Sequence, residues 1–333
     1  MTLVPTTTGT DIALADLADT ARDYAAAARS ENTIRAYRAG WSAFAAWAEA
    51  RGLATMPAAP EAVALYVADI AGTVSPATID ARLAAISAAH RAVGHPSPTK
   101  HEAVRVVRRG VRVTHGTEQR RVRPVTVPDL RRMVDDLGDD LTAARDRALL
   151  LVGFAAALRR SELVGLDVAD VTETTYQVTD ETTGELVTRD GLLVRVRRSK
   201  TDQEGAGRTI AIPAGDHAPT CPLRAWRTWL RLSGITEGPA FRRVRVGGAV
   251  GADRLSGQAV ANIIKGHAER AGLDPATVAG HSLRAGLATA AAERGVPERV
   301  IAATTGHKSM TILRRYIRDG DLFRENAAGA VGL

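Results

Sequence analysis

One stretch near the C-terminal end, residues 280–318, constrains the fold more than any other part of the chain. It reads GHSLRAGLATAAAERGVPERVIAATTGHKSMTILRRYIR. Ser282 is a candidate cap for an apolar helix, and a second short helix begins at Pro297. Gly306 marks a turn, and Ser309 is a candidate cap for a third helix. The stretch therefore predicts three short helices whose ends lie near one another.

Four side chains on these predicted helices have the chemistry of a phosphate site. His281 and Arg284 are three residues apart, so they share a helix face near its positive N-terminus. His307 lies in the following turn, and Tyr316 lies two turns along the third helix. Guanidinium binds phosphate oxygens, and a phenol with a pKa of about 10 becomes a useful nucleophile when an imidazole shares its proton. The set indicates attack of a tyrosine on a phosphodiester.

Three residues upstream extend this candidate site. Arg159 and Glu162 lie three apart in LRRSEL, where an apolar helical run ends, and we expect Glu162 to hold an arginine or histidine in place. Lys200 lies at the start of a turn between two predicted strands, 192–198 and 208–213. A leaving 5′ oxygen needs a proton, which lysine can give and arginine gives poorly. The chain has four lysines against 40 arginines, so a lysine in this hairpin is informative. Lys308 is its rival as general acid.

Taken in order, LRRSEL, RSKT, HSLR, GH and RRYI resemble the motifs of the phage integrase family of tyrosine recombinases, in its compact, Cre-like, two-domain form. The order and spacing agree with the family along about 160 residues. The resemblance implies a site-specific recombinase that cleaves and rejoins DNA during integration, excision or resolution. The catalytic residues that it implies are Tyr316 as nucleophile of a 3′-phosphotyrosyl bond, Arg159 and Arg284 as phosphate clamps, His281 and His307 as assisting groups, and Lys200 as general acid.

No cofactor is expected. A phosphotyrosyl bond conserves the energy of the broken phosphodiester, so the implied reaction needs neither ATP nor a metal. Cys221 is the only cysteine, and no Cys/His cluster has the spacing of a zinc site. The prediction is that the protein has no metal site.

The fold class that we predict is mainly α-helical, with a small antiparallel β-sheet in the C-terminal domain. A hydrophobic fraction of 45% with only 4% aromatic residues is typical of an alanine-rich, helical protein. The resemblance implies a two-domain DNA clamp whose terminal helix exchanges between protomers. The predicted parts are a disordered tail (1–11), an N-terminal helical core-binding domain of SAM-like type (12–115), a linker (116–124) and an α+β catalytic domain (125–333) that includes the terminal helix (321–330). Within the catalytic domain, residues 168–187 are predicted to form irregular strands with a turn at 182–185, and the glycine- and arginine-rich segment 241–254 is predicted to be a loop.

The N-terminal domain has the apolar periodicity of a helical bundle. Ile34, Tyr37, Trp41, Phe44 and Ala48 recur at helical spacing. We interpret them as a core face, and the alternative is a surface on which bases stack. Further helices are predicted over 12–28, 61–71, 76–93 and 102–113.

Charge is distributed unevenly along the chain, whose net charge is +7. Residues 1–81 have a net charge of −4, whereas residues 82–123 have a net charge of +8. Such a basic block is typical of a surface that binds the DNA backbone, and the alternative is a solvated face. The candidate DNA-binding residues are Arg105, Arg108, Arg109 and Arg112, which share a face of the predicted helix 102–113, and Arg120 and Arg121 in the linker.

The expected partner is double-stranded DNA with paired inverted recognition sequences, bound by a homotetramer on two DNA sites. The longest apolar run, Ala148–Leu158, is too short to span a bilayer, and no signal peptide is evident, so we expect no membrane contact and a cytoplasmic, nucleoid-associated protein. Two alternatives remain. A type IB topoisomerase uses the same chemistry as a monomer, and a non-cutting DNA-binding protein would not need all six catalytic residues.

Overall fold

A computed structural model describes residues 31–116, 122–180, 182–197, 207–307, 309–311, 313 and 314, together with residues 16, 17, 19, 20 and 24. The chain divides into two compact units, Met1–Arg120 and Arg121–Leu333, and the division falls inside the predicted linker 116–124. At the end of that linker, Arg123 donates its N–H to the carbonyl of Thr277 (2.8 Å) and pairs with Asp129 (3.1 Å), so this residue is fixed within the second unit.

Three predicted segments fall wholly or mostly outside the described residues. These are the tail 1–11, the terminal helix 321–330 and most of the helix 12–28. The five described residues between 16 and 24 are helical.

The first unit is built from helices. They are α1 (Glu31–Glu49), α2 (Pro60–Ile70), α3 (Pro76–Ala92) and α4 (Glu102–His115), with a 3₁₀ turn at Pro98–Lys100. Ser75 caps α3 by accepting a hydrogen bond from the N–H of Thr78, and Pro76 occupies the first helical position, as the sequence predicts. The predicted bounds of α2, α3 and α4 are correct to within two residues.

The core of the first unit forms around aromatic side chains. Phe44 is fully buried and meets the ring of Tyr66 on α2 at 5.3 Å between centroids. Trp41 and Trp47 pack against the same core. Ile34 and Tyr37, nearer the start of α1, are only partly buried. The aromatic stripe is therefore a core face, as predicted, mainly through the second half of α1.

The second unit combines helices with two small antiparallel sheets. Its helices are α5 (Val127–Asp135), α6 (Leu141–Ala155), α7 (Arg160–Gly165), α8 (Pro222–Ser233), α9 (Gly257–Arg270), α10 (Ser282–Glu293) and α11 (Glu298–Thr305). Its strands are β1 (Val171–Thr179), β2 (Leu186–Val196), β3 (Arg208–Pro213), β4 (Arg242–Val244) and β5 (Val250–Arg254). Short 3₁₀ turns lie at Val168–Asp170 and Ala218–Thr220. The fold class is the predicted one.

The larger sheet has the order β1-β2-β3, with β2 in the centre. All nine residues of β1 pair with β2, whereas β3 pairs only with residues 191–196 of β2. The outer half of the β1–β2 hairpin is therefore two strands wide. The sequence predicted irregular strands here, because the outer residues of β1 are polar and give no apolar alternation. Ladder pairing with β2 makes the strand regular.

The segment 241–254 was predicted to be a loop, and this prediction is wrong. It forms the hairpin β4–β5, closed by a hydrogen bond from the N–H of Arg245 to the carbonyl of Ala249 (2.9 Å). Arginine and glycine hide the strand pattern in the sequence, because the hairpin buries little apolar surface of its own.

Helix α6 forms the centre of the second core. Its residues Leu149, Leu150 and Val152 are fully buried, and α8 supplies the buried Trp226 and Trp229. Helices α8 and α10 pack against α6. The chain that leaves α6 therefore runs beside the start of α10, which places LRRSEL next to HSLR.

None of the helices in the described ranges combines the length and the apolarity that a bilayer crossing requires.

Candidate active site

Arg159 and Glu162 form the first part of the site, where the chain turns from α6 into α7. Glu162 is buried, and its Oε2 accepts the backbone N–H of Arg159 (3.0 Å), which fixes the start of α7. Its Oε1 accepts Nη1 of the same arginine at 2.5 Å. The carboxylate thus fixes both the helix end and the guanidinium of Arg159.

Arg284 is buried in the first turn of α10, with 1% of its surface exposed. Its Nη1 donates to the carbonyl of Ala157 at 2.9 Å. Ala157 adopts a left-handed conformation (φ 48°), which costs a non-glycine residue about 1 kcal/mol. This strained residue directs its carbonyl to Arg284, so the turn that ends in Arg159 also positions the second arginine.

The start of α10 differs from the prediction that Ser282 is its cap. His281 is the N-cap residue, and Ser282 is the first helical residue. The hydroxyl of Ser282 is buried and accepts the N–H of Ala279 at 3.0 Å. Ser282 therefore stabilises the preceding turn, which leaves the imidazole of His281 at the helix end.

His307 follows α11, and its two ring nitrogens have different partners. Arg284 donates from Nη2 to Nε2 of His307 at 3.1 Å, because a guanidinium has no acceptor. Nδ1 therefore bears the proton of the neutral ring and donates to Oγ1 of Thr305 at 2.7 Å. The hydroxyl of Thr305 donates in turn to the carbonyl of Ile301 at 2.6 Å. This chain of hydrogen bonds defines the tautomer of His307.

Both histidines are neutral near pH 7. Burial lowers the pKa of His281, and the charges of Arg284 and Arg159 lower it further, whereas Glu162 opposes the shift. Burial and nearby positive charges, first that of Arg284, lower the pKa of His307 to about 4. Neutral imidazoles among guanidiniums can accept or relay a proton at neutral pH.

Arg208, the first residue of β3, belongs to the same cluster. Its Nη2 lies 3.0 Å from Oε2 of Glu162. Its guanidinium also lies against Gly306, where an added Cβ would overlap Nη1. Arg208 is not among the residues that the sequence predicts for the site, because nothing in its local sequence distinguishes it among 40 arginines.

Two aspartates beyond α7 hold the neighbouring strands. Arg197, at the end of β2, pairs with Asp167 and with Asp170 (2.7 Å). Arg254, at the end of β5, pairs with Asp167 at 2.5 Å. The hydrogen bond from Arg197 is the main cause that lowers the pKa of Asp167. The region around α7 is therefore fixed to both sheets by ion pairs.

Five of the seven residues predicted for the site are described, and they come together. They are Arg159, Glu162, His281, Arg284 and His307. Lys200 and Tyr316 lie outside the described residues, as does Lys308. Within the described ranges, no three His, Cys, Asp or Glu side chains are grouped as a metal site would need.

The predicted DNA-binding arginines on α4 have unequal surroundings. Arg108 (2.6 Å) and Arg112 both pair with Asp80 on α3. Arg105 pairs with Glu102 at 3.0 Å, and Arg109 is exposed. Three of the four positive charges are thus partly neutralised within the unit. Arg120 and Arg121 lie outside the described residues.

The model of the phage integrase family matches residues 123–321, more than half of the chain. The integrase/recombinase xerD homolog of Selenomonas ruminantium is 36% identical over 303 residues, which cover 90% of this chain and 85% of the relative. Recombinase cre of Escherichia phage P1 is 26% identical over 313 residues, which cover 88% of this chain and 85% of that protein.

A solved structure of the XerH site-specific recombinase, a post-cleavage complex with a palindromic difH substrate, has a TM-score of 0.57 and 16% identity. The match covers 83% of this chain and 73% of that one, and at this identity it supports the fold alone. The family model and the Selenomonas relative support the function. The chain therefore belongs to the phage integrase family, as a site-specific tyrosine recombinase that cleaves and rejoins DNA.

Proposed function

We propose that Tyr316 is the nucleophile of this recombinase and that the cluster around Arg159 and Arg284 binds the scissile phosphate. The observation that carries the proposal is the convergence of these two arginines with two neutral histidines at one place in the second unit. A site that binds an anion with guanidinium groups and accepts a proton with neutral imidazole suits attack by a phenol.

The reaction balances with the residues proposed. The phenol oxygen of Tyr316 bonds to phosphorus, and His281 takes the phenol proton. The bond from phosphorus to the 5′ oxygen breaks, and Lys200 donates a proton to that oxygen. The products are a 3′-phosphotyrosyl bond and a free 5′-hydroxyl, and a 5′-hydroxyl from a partner duplex reverses the step to complete exchange.

Arg159 and Arg284 stabilise the charge on the non-bridging oxygens, and His307 assists by accepting a hydrogen bond from Arg284 at its Nε2, which holds that guanidinium in place. Removal of one such group costs about 3 kcal/mol, or roughly a hundredfold in rate. Because each step exchanges one phosphoester for another, no cofactor is required.

The proposed partner is a pair of DNA duplexes with inverted recognition sequences. Recombination of two duplexes breaks four strands, and one tyrosine per strand requires four protomers. A homotetramer on two sites is the smallest assembly that satisfies this count. The resemblance to Cre-like enzymes supports a terminal helix, 321–330, that joins protomers, and a cytoplasmic, nucleoid-associated location.

We also propose that the two units clamp the duplex and that α4 contacts its backbone. The exposed Arg109 and the net charge of +8 over residues 82–123 support this proposal. Arg105, Arg108, Arg112, Arg120 and Arg121 complete the proposed DNA-binding set.

A suicide substrate, nicked so that the cleaved strand end diffuses away, tests the nucleophile. The wild-type protein is expected to form a protein–DNA adduct that survives denaturant, and Tyr316→Phe is expected to form none. Tyr176→Phe is the matched control, because Tyr176 lies on the outer part of β1, and it is expected to form the adduct at the wild-type rate. An adduct formed by Tyr316→Phe would identify another nucleophile.

The type IB topoisomerase and the non-cutting DNA-binding protein are not favoured by the family relationship. A plasmid that carries paired sites separates the former, because a recombinase should yield recombinant products from it, whereas a topoisomerase would only relax it.

A further inference from the structure

Glu162 pairs with two guanidiniums at once. Its side chain is only 1% exposed, and its Oε1 accepts from Arg159 at 2.5 Å while its Oε2 lies 3.0 Å from Arg208. One carboxylate neutralises only one of the two guanidinium charges. The three side chains therefore keep a net positive charge, although all three are largely buried. The position of each guanidinium depends on the other through the shared carboxylate.

Arg208 also contacts the turn that precedes His307. Gly306 ends α11 in a left-handed conformation (φ 64°), and the guanidinium of Arg208 occupies the space where a side chain would begin. Within the described part of the chain, Nε and Nη1 of Arg208 are buried and have no hydrogen-bond partner. A guanidinium left with unsatisfied donors costs stability, which argues for a role other than strengthening the fold.

Arg208 affects the site through its charge as well as through its contacts. It is among the positive charges that lower the pKa of His307. Burial lowers the pKa of Arg208 itself, Glu162 opposes that shift, and the charge of Arg159 adds to it. Arg208 therefore interacts with a proposed phosphate clamp and its supporting carboxylate at the start of α7, and with a proposed assisting histidine after α11.

We infer that Arg208 is a further positioning residue of the recombination reaction: it orients Arg159 through Glu162 and supports the Gly306 turn that presents His307. The inference rests on the proposed function of those two residues. Arg208 acts through its neighbours.

A double-mutant cycle on DNA cleavage tests this inference. The proteins are the wild type, Arg208→Met, Glu162→Gln and the double variant, each measured for single-turnover adduct formation with saturating suicide substrate and for melting temperature. Arg208→Met is expected to slow cleavage by about thirtyfold, because misplacement of a reacting group by about 1 Å can cost a hundredfold. The loss of rate in the double variant is expected to be smaller than the product of the two single losses, since both changes remove the interaction between Arg208 and Glu162.

A charge-neutral substrate separates positioning from general loss of structure. A methylphosphonate at the scissile position has no negative charge for Arg159 to neutralise. The ratio of the wild-type cleavage rate to that of Arg208→Met is therefore expected to be at least fivefold smaller on this substrate. Arg208→Lys, which keeps the charge and one donor toward Glu162, is expected to recover part of the rate.

Arg227→Met is the matched control. Arg227 also lies in the second unit and pairs with two carboxylates, Glu173 (2.7 Å) and Asp190 (3.2 Å). These carboxylates lie on β1 and β2 of the larger sheet and are not part of the proposed site. Its cleavage rate is expected to equal that of the wild type.

Three results would overturn the inference: wild-type cleavage by Arg208→Met, multiplicative losses in the double variant, or an equal deficit on both substrates. If Arg208→Met does not fold, Arg208→Lys decides, and a wild-type rate would then reject the inference. Failure of the wild-type protein to form any adduct would instead reject the proposed function, so the two failures are distinguishable.

Discussion

Thr305 controls the proton on His307. Its Oγ1 accepts a hydrogen bond from Nδ1 and donates one to the carbonyl of Ile301, which leaves Nε2 as the acceptor for Arg284. A single hydroxyl on α11 thus determines which ring nitrogen of His307 accepts the hydrogen bond from Arg284. Threonine is suited to this place because its methyl group fills buried space while its hydroxyl bonds within the helix.

We expect Thr305→Val to slow adduct formation by roughly threefold to tenfold, because one hydrogen bond contributes about 0.5–1.5 kcal/mol. Valine keeps the shape, so the melting temperature should change little. Nitrogen chemical shifts of the His307 ring would report the tautomer, and the Nδ1–H form should lose population. Thr305→Ser keeps the hydroxyl and is the control. An unchanged tautomer and rate in Thr305→Val would contradict this role.

At this scale the sequence predicted residue types better than residue partners. Arg159, Glu162, His281, Arg284 and His307 stand out by motif and spacing. The roles of Thr305 and Arg208 depend on which atoms meet after folding. Neither has a local pattern that a linear sequence could reveal.

At the scale of elements, the start of α10 and the turn after α6 position these residues, and both depart from local sequence preferences. Sequence rules favour Ser282 as the cap of α10, but its hydroxyl is already taken by the N–H of Ala279, so His281 occupies that position. Ala157 adopts a conformation that favours glycine. Both departures lie at the site, and both arise because tertiary contacts outweigh local preference.

Helix α4 gives a test of the proposed DNA contact. We expect Arg109→Ala to weaken binding by similar factors on different sequences and to reduce the slope of log K against log[salt] by about 1, because one phosphate contact is lost. Binding measured by fluorescence anisotropy at several salt concentrations gives the slope.

Arg51→Ala is the control for this experiment, since Arg51 pairs with Asp69 (3.2 Å) and lies over Trp47, elsewhere in the first unit. Its salt slope should equal that of the wild type. A wild-type slope in Arg109→Ala would show that this face of α4 does not meet the backbone.

Across the whole molecule, the two units differ in how they respond to acid. His281 and His307 have lowered pKa values, so between pH 6.5 and about 4 the unfolded chain binds more protons than the folded one. Acid therefore favours unfolding in this window. Asp80, Asp129 and Asp167 also have lowered pKa values, but their contribution is lost only below the usual aspartate range.

We expect the second unit to lose stability as the pH falls from 6.5 to 4, while the first unit changes less. Calorimetry at several pH values measures the transitions, and a core substitution, Leu149→Ala, assigns that of the second unit because its cost of about 2–5 kcal/mol falls there. His307→Gln should flatten the pH dependence. Equal pH dependence in His307→Gln and the wild type would contradict the lowered pKa.

The overall fold could be predicted from the sequence more completely than its individual elements. Helices with caps and prolines, such as α3, were predicted nearly to the residue, and the two-unit, mainly helical fold follows from them. The hairpin β4–β5 was missed, because strand pairing there is set by a partner strand and not by an apolar pattern.

The outer half of the β1–β2 hairpin, which is only two strands wide, offers a position for a fluorescent label. From residue 191 to the turn at Thr182–Glu185 the ribbon extends about 20 Å beyond the last pairing with β3, at roughly 3.3 Å per residue. Cys221 is buried and is the single native thiol. A dye attached through Thr183→Cys would therefore label one exposed position, at the end of β1 opposite to the one that follows α7, and could follow assembly on DNA.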